Sequence, residues 1–330
     1  MLLETSDEQA RRLLALSRQL QWAFPTSQGT PIIKGQPTSR PVEQAVQERE
    51  AYADAARVLL EKGDEAGAVE IASNTWRLWI LARDLSGGRA FIASVLDNGE
   101  KKPSRARSLA LYGDALLAFR QGKIEESRQR SQAALDAALV VNDQEALTLA
   151  YLGLSRVAFA HGDYAQSLAM AVKARESARD LDLAMGQAPL FLHASATRLT
   201  GDYDKAAALF EQSVDLNRRI GDQGMVAAEL QNLAFVEIHR GNVEAAERYV
   251  SECEKLGSAN DQYNAAMTNL TRAMIAFARG DKNRSQTLLQ HAQSILKEAK
   301  LEPGPDDQFE FSWLHGLLER NGRDSRSNLT

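Results

Sequence analysis

A single cysteine, Cys253, stands in 330 residues, so no intramolecular disulfide can form and a metal centre built from cysteines is excluded. That usage fits a reducing, cytoplasmic setting. Proline is scarce as well: of 8 in the chain, only Pro103 and Pro189 fall between Val42 and Leu301. The long uninterrupted stretches are rich in Ala, Leu, Glu, Gln and Arg, which are helix formers, and they point to an all-α protein. No run approaches the roughly 18 apolar residues of a membrane span, so no membrane partner is expected. Charge of one sign is also missing. The 39 basic and 44 acidic residues leave −5 with the signs interspersed, which argues against a nucleic-acid partner. The opening MLLETSDEQARRLL has early acids and neither a basic leader nor an apolar core, so no secretion signal is expected.

The usual marks of catalysis are absent too. There is no GxxxxGKS/T or GxGxxG loop to cradle a phosphate and no GxSxG elbow. His161, His193, His239, His291 and His315 lie one per helix, without the i, i+4 spacing of a zinc site. Neither Cys253 nor serines such as Ser155 and Ser195 have an evident base. No catalytic residue, metal or cofactor is therefore expected.

What is present is a period. A Gly-polar step followed five residues later by a small residue recurs as GKIEES, GDYAQS, GDYDKA, GNVEAA and GDKNRS, with glycines at 122, 162, 201, 241 and 280. Spacings of 39 or 40 residues are the mark of a solenoid. Each Gly lies between two runs with helical apolar spacing, where a tight helix-to-helix turn needs positive φ. Small residues also stand seven before it, at Ala115, Ser155, Ala194, Ala234 and Ala273, and twelve after it, at Ala134, Ala174, Ser213, Cys253 and Ala292. Two helices of a hairpin approach closely only where no large side chain intervenes. Asp163, Asp202 and Asp281, just after the turn Gly, read as helix caps.

This pattern resembles the tetratricopeptide repeat family, with Tyr164 and Tyr203 in its aromatic slot two residues after the Gly; the period here is longer than the family's 34 residues. The resemblance implies a right-handed superhelical solenoid of antiparallel helical hairpins. Upstream, GDEAGAVEIASNTWRLWILARDLSGGRAFIASVL and PSRARSLALYGDALLAFRQG resemble the repeat sensor region of large bacterial signal-transduction ATPase transcription regulators. Neither the ATPase nor the DNA-binding domain of those regulators is expected here. Arg83, 39 residues before Gly122, falls in phase with the turns and marks a degenerate repeat.

The expected organisation is an N-terminal helix in 1–24, a Pro/Gly linker in 25–42, the solenoid in 43–302, a capping helix in 303–321 and a disordered tail in 322–330. Helices are expected near 43–62, 65–84, 86–97, 104–121, 124–141, 144–161, 164–181, 186–200, 203–220, 223–240, 243–257, 260–279, 282–300 and 307–321.

The first helix of each hairpin lines the concave groove in the family. Counting back from each Gly, the groove candidates are Tyr112, Leu116, Phe119 and Arg120; Leu152, Arg156 and Phe159; Phe191, Ser195 and Arg198; Gln231, Phe235 and His239; Met274 and Phe277. The set is apolar with a sparse basic series and no acid. One reading is a groove for a protein or peptide ligand, its apolar side chains anchored and a carboxylate held by arginines. The other makes the phenylalanines core and pairs the arginines with acids on neighbouring helices. The family's chaperone-tail clamp of Lys and Asn is absent, since Tyr112 and Leu116 hold those slots. The expected function is a non-catalytic scaffold or regulatory adaptor. A small-molecule sensor using the Trp76 and Trp79 neighbourhood stands as the alternative, and an enzyme with a site in the groove as a more remote one.

Overall fold

A computed structural model describes residues 6–20, 22–23, 32–33, 42–99, 101–256 and 261–327. The chain divides into two compact units, residues 1–189 and 190–330. Among the described residues of the first run α1 (Asp7–Gln19), α2 (Val42–Gln47), α3 (Arg49–Glu61), α4 (Glu65–Leu81), α5 (Leu85–Asn98), α6 (Arg105–Arg120), α7 (Ile124–Val141), α8 (Gln144–Ala160) and α9 (Tyr164–Ser177), then a 3₁₀ turn at Leu183–Gly186. Helix α10 (Gln187–Leu199) begins in the last residues of this unit. The second unit continues with α11 (Tyr203–Ile220), α12 (Gln223–His239), α13 (Val243–Leu256), α14 (Gln262–Ala278), α15 (Lys282–Ala299) and α16 (Pro305–Ser327). The 25–42 linker falls largely outside the described residues; within it, Ile32–Ile33 pairs antiparallel with Trp22–Ala23.

The turn chemistry explains the hairpins. Gly122, Gly162, Gly201, Gly241 and Gly280 all have φ between 73° and 89°, the left-handed region that costs an L side chain energy. Arg83 occupies the same slot at φ 57°, so the degenerate repeat makes the same turn without glycine. Helix N-termini are closed by aspartates: Asp163, Asp202 and Asp281 accept from the backbone N–H of Gln166, Lys205 and Arg284. Left-handed residues also join one hairpin to the next, at Gly63, Asn142, Gly221 and Lys300.

In unit 1, α6 packs on α7 and α8 on α9, while α4, α6 and α8 pack in succession as first helices. Helix α1 packs on α3 and α4, so it is part of the stack. Arg18 forks onto Glu70 at 2.7 and 2.8 Å, and Asn74 donates to Ser17. The small columns are buried where helices touch: Ser155 donates to the Ser167 carbonyl at 2.9 Å and Ser108 to that of Ala134 at 2.8 Å. A Cβ on Gly113 would lie 2.6 Å from the Trp76 ring, so α6 can approach α4 only through glycine. Asp114, buried on α6, receives Arg89 and Arg130 at 2.8 Å each.

In unit 2 the same pattern joins α11 to α12, α12 to α13 and α14 to α15, with α12 against α14. Cys253 is buried in its small column with its Sγ 3.4 Å from Asn264 Oδ1, and burial pushes its thiol up to about 11. Glu229 on α12 is buried against α11, where Ser213 donates to it at 2.5 Å. Helix α16 runs to Ser327, past the expected end at 321 and into the stretch expected as a disordered tail.

Candidate functional site

The groove candidates divide sharply by burial. Tyr112, Leu152, Phe159, Ser195, Arg198, Gln231, Phe235 and Met274 are buried; Leu116, Phe119, Arg156, Phe191, His239 and Phe277 are partly exposed, and Arg120 is exposed. Phe159 meets Tyr164 of the following helix edge to face at 5.4 Å, and Phe235 and Met274 sit in one apolar cluster. Gln231 bonds Thr271 across α12 and α14. The aromatic stripe is thus mostly packing, as helical apolar spacing generally is. Trp76 and Trp79 are buried as well, Trp76 against Tyr112 at 5.7 Å and Trp79 against Phe91 at 5.8 Å, leaving no exposed stacking platform.

The basic series has two different fates. In unit 1, Arg156 Nη1 donates to the Tyr112 hydroxyl at 2.7 Å, and the Tyr112 ring is held edge-on by Trp76. Arg120 lies beside Arg156. Although the side chain is exposed overall, desolvation of its guanidinium, and then the Arg156 charge, lower its pKa. Among the described residues neither arginine makes an ion pair with a carboxylate. Arg77, six residues before the Arg83 turn, holds the same register as Arg156 six before Gly162. Its guanidinium lies 4.1 Å over the Trp76 ring, and burial pushes it down to about 10. Arg77 was missed by a count starting at the first turn glycine; the phase of Arg83 was the signal that locates it.

In unit 2 the charges are met. Arg198 is buried, lies 5.4 Å over the Phe235 ring, and donates from Nη1 to Glu310 Oε1 at 2.7 Å and from Nη2 to Asp306 Oδ2 at 3.3 Å. The other Glu310 oxygen lies 2.7 Å from His239 Nε2. Tyr203 stacks on the His239 ring at 4.7 Å, and Trp313 meets it edge-on at 4.6 Å. Tyr263 donates to Asp307 at 2.5 Å and accepts from the Gly304 N–H at 3.1 Å. Burial, and then the neighbouring Asp306 charge, hold the Asp307 carboxyl well above the usual range. The C-terminal helix therefore sets its acids on residues of α10, α12 and α14, a pairing no local pattern announces.

Among the described residues no His, Cys, Asp and Glu group has the geometry to hold a metal, and no helix is long and apolar enough to cross a membrane.

No protein-family model and no curated protein matches the sequence. Solved structures share the fold. NprR in complex with its cognate peptide NprX is 16% identical with a TM-score of 0.54, covering 87% of this chain and 86% of that one. A Rap protein complexed with competence and sporulation factor is 15% identical with a TM-score of 0.54, over 85% and 87%. A signal-transduction ATPase with a tetratricopeptide repeat sensor, from Pyrococcus horikoshii, is 18% identical with a TM-score of 0.58, over 78% of this chain and 42% of that one. The chain has the tetratricopeptide repeat fold, an all-α solenoid of helical hairpins.

Proposed function

We propose that this chain is a peptide-binding regulatory scaffold, acting by binding and not by catalysis, and that the first-helix face of unit 1 receives an acidic segment of its partner. One observation carries the reading: Arg120 and Arg156 stand together on that face, Arg156 oriented by Tyr112, with no carboxylate opposite either among the described residues. Two adjacent guanidiniums repel each other, and a carboxylate accepting from both removes that cost while gaining charge-assisted hydrogen bonds. The peptides in the NprR and Rap complexes support a peptide as the ligand class for this fold.

The test is a panel of 15-residue peptides graded in Asp and Glu content, titrated by fluorescence anisotropy against the wild-type chain and an Arg120→Glu/Arg156→Glu variant. Acidic peptides are expected to bind, with at least about tenfold loss in the variant, or about 1.4 kcal/mol. Equal binding by both proteins, with far-UV circular dichroism unchanged, refutes the site.

A further inference from the structure

Helix α16 makes contacts that a simple cap does not need. The last hairpin of a solenoid requires only an apolar cover, and Leu314 supplies one, buried in the cluster of Leu270, Met274 and Leu289. Yet the first two turns of α16 bring Asp306, Asp307 and Glu310 onto residues of three first helices: Arg198 of α10, His239 of α12 and Tyr263 of α14. Burying carboxylates is costly even when they are paired, so these contacts add recognition more than stability. They are also crowded, with three acids against one guanidinium, one imidazole and one phenol. Helix α16 packs on α14 and α15 far less closely than those two pack on each other, and it is tethered by the five residues 300–304.

We propose that α16 is a ligand held in cis: the first-helix face of unit 2 is a second binding surface, shaped for an acidic, aromatic-bearing helix, and a partner helix of that chemistry replaces α16. The occupant is defined by what α16 presents. Asp306 and Glu310 lie four residues apart to meet Arg198, Glu310 reaches His239 with its second oxygen, and Trp313, one turn further, meets edge-on the His239 ring that stacks on Tyr203. A partner therefore needs an acid, a second acid four residues on, and an aromatic three residues after that, all on one helical face. The short tether gives α16 an effective concentration of order mM, which keeps the surface closed until a partner competes or α16 is displaced. This inference stands apart from the Arg120 and Arg156 site, whose residues lie in the other unit.

The experiment uses the full chain with a site-specific protease sequence inserted between Leu301 and Glu302. After cleavage, the residue 302–330 fragment stays only if its contacts hold it. The probe is a fluorescein-labelled synthetic peptide of residues 302–321. The intact chain is expected to take up little probe, whereas the nicked chain exchanges its fragment for it. The Glu310→Lys peptide should bind at least tenfold more weakly. Uptake should be lost in a nicked Arg198→Gln chain and unchanged in a nicked Arg120→Glu/Arg156→Glu chain, which separates this surface from that of unit 1. Retention of the fragment with no exchange at large probe excess overturns the proposal. So does a loss of helical circular dichroism larger than the released fragment's own helix accounts for, because α16 would then be a structural cap of unit 2.

Discussion

Glu229 offers a quantitative test of the packing of unit 2. The carboxyl is fully buried, its Oε1 accepts from Ser213, and its Oε2 has no hydrogen-bond partner. Burial pushes its pKa up from 4.5 to about 8, opposed only by the Ser213 bond. The native state thus holds the proton to a higher pH than the unfolded chain does. Below about pH 4.5 both states are protonated and the group has no effect; from there to about pH 8 folding takes up a proton, so stability falls as pH rises. At about 1.4 kcal/mol per unit, the full loss is on the order of 5 kcal/mol above pH 8. In Glu229→Gln the amide oxygen still accepts from Ser213 and the side chain never ionises. The variant should match the wild type near pH 4.5 and become progressively more stable than it up to pH 9. Urea unfolding followed at 222 nm, at pH 5, 7 and 9 for both proteins, measures the difference, because other titrations cancel between them. Parallel pH profiles, diverging by less than about 1 kcal/mol, would show that the carboxylate is solvated or relaxes, and would refute the argument.

Three further substitutions probe the turns, the close approach and the C-terminal ion pair. Gly241→Ala meets no atom within 4 Å, so its cost is backbone strain alone at φ 81°, about 1–2 kcal/mol by thermal or urea unfolding. Arg83→Gly should have the opposite sign and stabilise unit 1 by up to about 1 kcal/mol; a loss there would mean the Arg83 side chain contributes more than its turn costs. Gly113→Ala forces a methyl into the Trp76 ring and should cost about 1–3 kcal/mol with a changed near-UV tryptophan signal, and an unchanged signal would contradict the contact. Glu310→Ala leaves the Arg198 guanidinium buried with only the longer Asp306 contact, and should lower the stability of unit 2 by about 3–5 kcal/mol in urea unfolding.

The repeat was legible because its signals are local. A glycine that turns the chain, an aspartate that caps the next helix and three columns of small residues lie within twenty residues of one another, as from Ser155 to Ala174, and their period places Arg83 at positive φ even without its glycine. The links between hairpins were less legible, since two use glycine, Gly63 and Gly221, while Asn142 and Lys300 make the same left-handed turn without it, so no single motif marks them. The amphipathic pattern of residues 7–24 suggested a helix capping the N-terminal end, but not which helices it would cover: some twenty residues separate α1 from α2, and periodicity does not name α3 and α4 across such a gap. The candidate site was half legible. Register placed Arg156, Arg198 and His239 on the first helices, but amphipathic spacing could not tell Arg156, which meets a tyrosine, from Arg198, which meets a glutamate 112 residues away. Those outcomes depend on tertiary neighbours, not on the helix itself.

Cys253 is the chain's only thiol, and it sits at 0% exposure in a helix-helix contact with its pKa raised to about 11. In the closed hairpin it is both shielded and protonated, so an alkylating reagent must wait for unit 2 to open there. The protein thus carries a built-in chemical stopwatch: the labelling rate at Cys253, read by mass spectrometry without any engineered probe, follows the opening of α13 against its neighbours, and anything that tightens the unit should slow it.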